Sequence, residues 1–189
     1  MRFFLYCWLF AAATLGAGPL RAAQPAPPWV ATWTAAARDY NQPPPIVGIP
    51  PPAPASLSDQ TVRLRVLPAV GGDTVRVRFS NVFGKAPLQI AAASVASSTG
   101  ADAVSPRSIE PLRFDGKGEL TLAPGAERWS DAVALPVQPQ QPLAVSFHVA
   151  GAARVATVFQ ASDAAVWVSA GNGTRAATLP APGRSDWGH

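Results

Sequence analysis

Residues 61–80 read TVRLRVLPAVGGDTVRVRFS, and the strict alternation in the two arms of this stretch dictates extended backbone. In a strand, successive side chains point to opposite faces. Val62, Leu64 and Val66 therefore share one face, with Arg63 and Arg65 on the other. The second arm repeats the pattern, with Val75, Val77 and Phe79 set against Arg76 and Arg78. A helix of 3.6 residues per turn would mix the two sets on every face. Gly71, Gly72 and Asp73 between the arms reach positive φ readily, which predicts a hairpin of two amphipathic strands.

Similar stretches recur downstream: Leu88–Ser97, Ile109–Phe114, Glu119–Ala123, Arg128–Leu135, Leu143–Ala150, Arg154–Gln160 and Ala165–Ala170. Turn clusters such as FDGKG, APGAE and GNGT separate them. AAASVAS has alanine's helical propensity, but its β-branched neighbours and flanking turns favour a strand. Short strands at this regular spacing, with no amphipathic helix between them, predict an all-β chain: an antiparallel β-sandwich, jelly-roll-like.

The sandwich is expected over 61–170, or about 29–170 with its N-terminal strand. Residues 1–23 have the layout of a cleaved signal peptide: Arg2, an apolar run from Phe3 to about Gly18, then small residues up to Ala22 and Ala23. That run is shorter than the roughly 18–20 residues a spanning helix needs. Cys7 is the only cysteine and lies inside it, so the mature chain has neither disulfides nor a thiolate. Removing Arg2 and Arg21 lowers the formal charge from +4 to +2, which gives no strong case for nucleic acid or a membrane as partner. A secreted or periplasmic location follows. Residues 24–60 hold an N-terminal strand and a loop with seven prolines between Pro43 and Pro54, which is neither helix nor central strand. Its plain role is a spacer, its functional alternative a ligand-facing flap. Residues 171–189 read as a tail.

Residues able to do chemistry are few. Arg63, Arg65, Arg76 and Arg78 would form a cross-strand basic patch. It reads as a solvated sheet face rather than a polyanion site, because no aromatic residues interleave with the arginines in the sequence. His148 falls on the polar side of its strand and is expected half-exposed, with no local set of metal ligands around it. There is no Gly-x-Ser-x-Gly elbow, no Gly-Asp-Ser, no phosphate cradle opening a helix and no evident pair of acidic catalysts. Trp29, Trp33, Trp129 and Trp167 remain as candidate sugar-stacking surfaces, against the alternative that they cover the core.

Five blocks in order, WVATW, LSDQTVR, GGDTVRVRFSNVFGKAPL, FDGKGELTLAPGAERWSD and PLAVSFHV, resemble the N-terminal β-sandwich region of secreted bacterial SGNH (GDSL-type) esterases. They span about residues 29–150. The resemblance implies an accessory domain beside a serine hydrolase acting on carbohydrate or lipid esters. In that family the nucleophile sits in a Gly-Asp-Ser motif and an Asp-x-x-His follows far downstream. No catalytic, cofactor or metal residue is carried onto a position of this sequence, because the chain stops before those motifs.

The chain does end on SDWGH, which places Asp186 and His189 at the Asp-x-x-His spacing. With no nucleophile ahead of it, the match reads as incidental and residues 171–189 as a shortened linker to a missing hydrolase domain. The expected partner is such a domain, covalently attached or separately encoded. The alternative is a free-standing secreted module that binds polysaccharide or docks on a partner.

Overall fold

The computed structural model describes residues 29–42, 55–160 and 164–185. The expected signal peptide at 1–23, the proline-rich stretch 43–54 and the Asp186–His189 ending lie outside the described residues. In chain order the strands begin with β1 (Ala36–Asp39), β2 (Ser56–Leu57), β3 (Gln60–Val66), β4 (Gly72–Val75), β5 (Arg78–Ser80) and β6 (Leu88–Ile90). Next come β7 (Ala92–Gly100), β8 (Ala103–Val104), β9 (Glu110–Pro111), β10 (Leu120–Leu122), β11 (Glu127–Trp129) and β12 (Val133–Val137). The last are β13 (Leu143–Val149), β14 (Ala153–Arg154), β15 (Thr157–Gln160), β16 (Ala165–Ala170) and β17 (Gly183–Ser185). The protein is all-β, antiparallel and sandwich-like, as the alternation predicts.

The main sheet has seven strands in the order β17-β16-β3-β13-β7-β8, with β9 also paired to β7. Over it lie three short ladders, β4–β12, β5–β11 and β6–β10. The apolar face of the main sheet presents Val66, Leu143, Ala93 and Val95 to this second layer, which answers with Val75, Phe79, Ile90, Phe114, Leu122 and Leu135. Phe79 sets its ring edge-on to Phe114 and Phe147, at 5.5 and 5.8 Å between centroids. Ile90, Val95 and Leu112 are at most 1 % exposed, and each such side chain is worth about 1.5–3 kcal/mol in burial.

The predicted hairpin does not form. β3 pairs with β13 and β16, while β4 lies in the other layer against β12. The PAVGGD stretch carries the chain between layers and is anchored where it begins: Gln140 N donates to Pro68 O and Ala69 N to Thr32 O. The second arm is also two strands. Val77 N bonds to Ser130 Oγ at 2.9 Å and Ser130 N to Val77 O at 2.8 Å, and this side-chain insertion separates β4 from β5. Leu88–Ser97 likewise splits at Ala91, whose N–H bonds to His148 O, so β6 joins the upper layer and β7 the main sheet. Strands that switch layers at such corners close off a sandwich.

The other face of the main sheet carries polar side chains, and it is buried too. Residues 171–180 cross it as a strap. Thr61 Oγ1 donates to Gly171 O and accepts from Gly173 N, both at 2.7 Å. Ser94 Oγ donates to Thr174 O at 2.6 Å, and Ser169 Oγ to Pro180 O. Leu179 is 3 % exposed, and β17 adds itself to β16. The sandwich boundary expected at 170 therefore moves: 171–185 belongs to the sheet, because its carbonyls satisfy polar groups that would otherwise be buried without partners.

Candidate functional site: an arginine and tryptophan surface

The four arginines expected on one solvated hairpin face are separated by the fold. Arg63 is 1 % exposed, under the strap. Its Nε donates to Ser146 Oγ at 2.8 Å, Nη1 to Asp102 O at 2.6 Å, and Nη2 to Gly173 O at 3.1 Å and Ala176 O at 2.8 Å. Burial pushes the guanidinium pKa below its ordinary value and the nearby Asp102 carboxylate pushes back. Arginine remains charged at any physiological pH, so this is a permanent buried cation held by four acceptors. Arg65 is half-buried on the same face. The solvated-face reading is wrong for Arg63 because a segment more than a hundred residues downstream covers it.

His148 is corrected in the same way. It is 6 % exposed, not half-exposed. Its Nε2 lies 3.0 Å from Asp59 Oδ1, and Nδ1 has no partner among the described residues. The neighbouring hydroxyl of Thr61, opposite His148 in register, is already committed to the strap. A histidine and a carboxylate in contact are two members of a catalytic relay, and the Thr61 hydroxyl is not free to be the third.

Arg76 and Arg78 remain on the outside, and aromatic residues do interleave with them. The Arg76 guanidinium carbon lies over the Trp29 ring at 4.4 Å and over the Trp129 ring at 4.6 Å from the centroids. Arg78 adds to Trp129 at 5.5 Å. Trp29 and Trp129 are nevertheless 47 % and 45 % exposed. The missed signal is tertiary, because residues 29, 76 and 129 are far apart in sequence.

Each member of this surface is placed by an identifiable device. Trp129 faces Arg78 across the β5–β11 ladder. Arg76 precedes β5 at the break made by Ser130. Trp29 is brought over by Thr32, whose Oγ1 exchanges hydrogen bonds with Val70 O and Val70 N. The acidic neighbours are spoken for: Glu127 pairs with Arg78 at 3.3 Å and Asp115 with Arg128. Cation–π contacts of this exposure are worth about 0.5–1 kcal/mol each, enough to orient the rings without burying them. Of the other predicted stacking residues, Trp33 packs on the core and edge-on to Phe159, and Trp167 is half-buried in β16.

A cleft of about 510 Å³ opens beside β7 and is rimmed by exposed Arg113, Lys117, Glu119 and Arg175. Its buried hydroxyls are occupied: Ser94 by Thr174 O, and Thr174 by Asn172 Oδ1. Among the described residues, no group of three His, Cys, Asp or Glu side chains could hold a metal ion, and no helix is long and apolar enough to cross a membrane.

Two further polar residues of the five blocks, Asn81 and Asp131, serve the backbone. Asn81 Nδ2 donates to Ala86 O, Leu122 O and Ala123 O at 3.0, 3.1 and 3.2 Å. Gly84 packs so closely on it that a Cβ there would stand 1.8 Å from Asn81 Oδ1. Asp131 accepts from Asp115 N and Gly116 N and pins the left-handed turn at 115–116, where φ is 52° and 78°. No protein-family model matches the chain, and no curated protein matches it.

Proposed function

We propose that this chain is the accessory β-sandwich of a secreted SGNH/GDSL-type ester hydrolase, contributing structure and surface but no reacting group. The observation that carries the reading is what the blocks of the resemblance do. Asp59, Thr61, Arg63, Asn81, Gly84 and Asp131 all fall within those blocks, and all are used in hydrogen bonds or close contacts of the fold itself. Five blocks that specify a sandwich in detail fit a region standing beside a hydrolase domain. The partner is then such a domain, and the leader sends the chain to the periplasm or outside the cell.

The test is to translate the DNA downstream of the His189 codon in all three frames and to assay the purified chain on p-nitrophenyl acetate. A Gly-Asp-Ser followed later by Asp-x-x-His, with no turnover by this chain above buffer, is the expected result. Absence of those motifs overturns the reading, as does robust turnover that His189→Ala abolishes. A free-standing binding module is the second reading, and the half-exposed tryptophans beside Arg76 are the observation that favours it.

A further inference from the structure

We infer that the surface formed by Trp29, Arg76, Trp129 and Arg78 binds an acidic polysaccharide, one whose sugar rings carry carboxylates. The inference concerns this chain alone and does not depend on the esterase reading. Its first support is hydrogen-bonding character. Indole and guanidinium groups can only donate, so these four side chains offer donors, and the Glu127 carboxylate beside them is engaged by Arg78. The complementary ligand is rich in acceptors and anionic, and the planar guanidinium fork matches a carboxylate. The second support is shape. Two half-exposed indoles lie within 4.6 Å of one guanidinium carbon and keep apolar ring surface open to water. A sugar ring has apolar C–H faces to set against them and places its carboxylate at the ring edge. The third is charge. Arg76 has no carboxylate partner within 4 Å among the described residues, although Arg78 and Arg128 each have one. Glu127 neutralises Arg78, so Arg76 is left as a single uncompensated cation, which one uronate carboxylate can satisfy, whereas non-specific binding of a phosphodiester backbone draws on several cations.

The experiment titrates the full chain with oligogalacturonate, with a neutral oligosaccharide of the same length and with single-stranded DNA, by calorimetry at low and moderate salt. Saturable oligogalacturonate binding is expected, at least tenfold tighter than to the neutral sugar or to DNA. Trp129→Ala should weaken it about fivefold, the loss of one stacked ring. Arg76→Lys, which keeps the charge and loses the fork, should weaken it as well. Trp129→Ala removes two cation–π contacts, so a slightly lowered but still cooperative thermal melt is expected; Trp29→Ala serves in place of a variant that fails to fold. No binding, equal binding of the neutral sugar, tighter binding of DNA, or binding indifferent to the tryptophan substitution overturns the inference.

Discussion

Arg63 donates from Nε to Ser146 Oγ at 2.8 Å, straight across the β3–β13 pair where the two residues stand opposite each other. The same guanidinium reaches three carbonyls of other segments, so a single side chain ties two central strands to the strap and to the 102 loop.

Removing that side chain should be among the most damaging single changes available. Arg63→Ala strands the carbonyls of Asp102, Gly173 and Ala176 beneath the strap, and a loss of about 3–5 kcal/mol is expected in urea unfolding. Arg63→Lys keeps the charge but cannot span four acceptors and should recover less than half of the loss. A loss below about 1 kcal/mol for the alanine variant would sink the structural role assigned here.

The strap gives a second expectation. A chain ending at Ala170 lacks Leu179, β17, the acceptor of Thr61 and two of the four acceptors of Arg63. It should fail to fold cooperatively, as read by circular dichroism and amide exchange. A sharp, native-like melt from that shortened chain would show that 171–185 is dispensable.

Gly84 and Gly118 form a matched pair. A methyl at Gly84 collides with the Asn81 side chain, which holds three carbonyls, whereas a Cβ at Gly118 meets nothing within 4 Å. Gly84→Ala should cost about 2–3 kcal/mol, while Gly118→Ala should be neutral or slightly stabilising. Equal melting temperatures for the two variants would contradict the geometry.

The His148 and Asp59 pair can be measured by a double-mutant cycle. Asp59→Ala leaves both ring nitrogens of a buried histidine without partners, and His148→Leu removes the need for one. Because the Asp59 side chain is 72 % exposed, water screens the contact, and a coupling of only about 0.5–1.5 kcal/mol is expected. Zero coupling in chevron or urea data would mean the contact contributes nothing.

The alternation at residues 60–66, 143–149 and 165–170 was enough to place three adjoining strands of the main sheet, because their Val, Leu and Phe residues must face one core. Pairing was not legible. The partners of β3 come from residues 143–170, while the nearest glycine turn pointed to β4. Periodicity also separates the two faces of a strand without saying whether the polar one meets water. Alternation alone therefore puts Arg63 on a solvated face and leaves His148 half-exposed, although the strap covers the first and Asp59 engages the second. Trp29, Arg76 and Trp129 converge only through the Thr32 anchor and the Ser130 break, neither of which carries a pattern of its own.

The sheet order also sets a timetable. During synthesis β3 emerges early, yet the partner of Arg63 on β13 lies 83 residues later and its strap carbonyls about 110 later. Until then a cation and an apolar ladder edge wait without their complements, and loop closure over such spans precedes any reward. The chain should therefore form its central ladder late and slowly. A tightly cross-tied native state is in this sense bought with a long exposed adolescence.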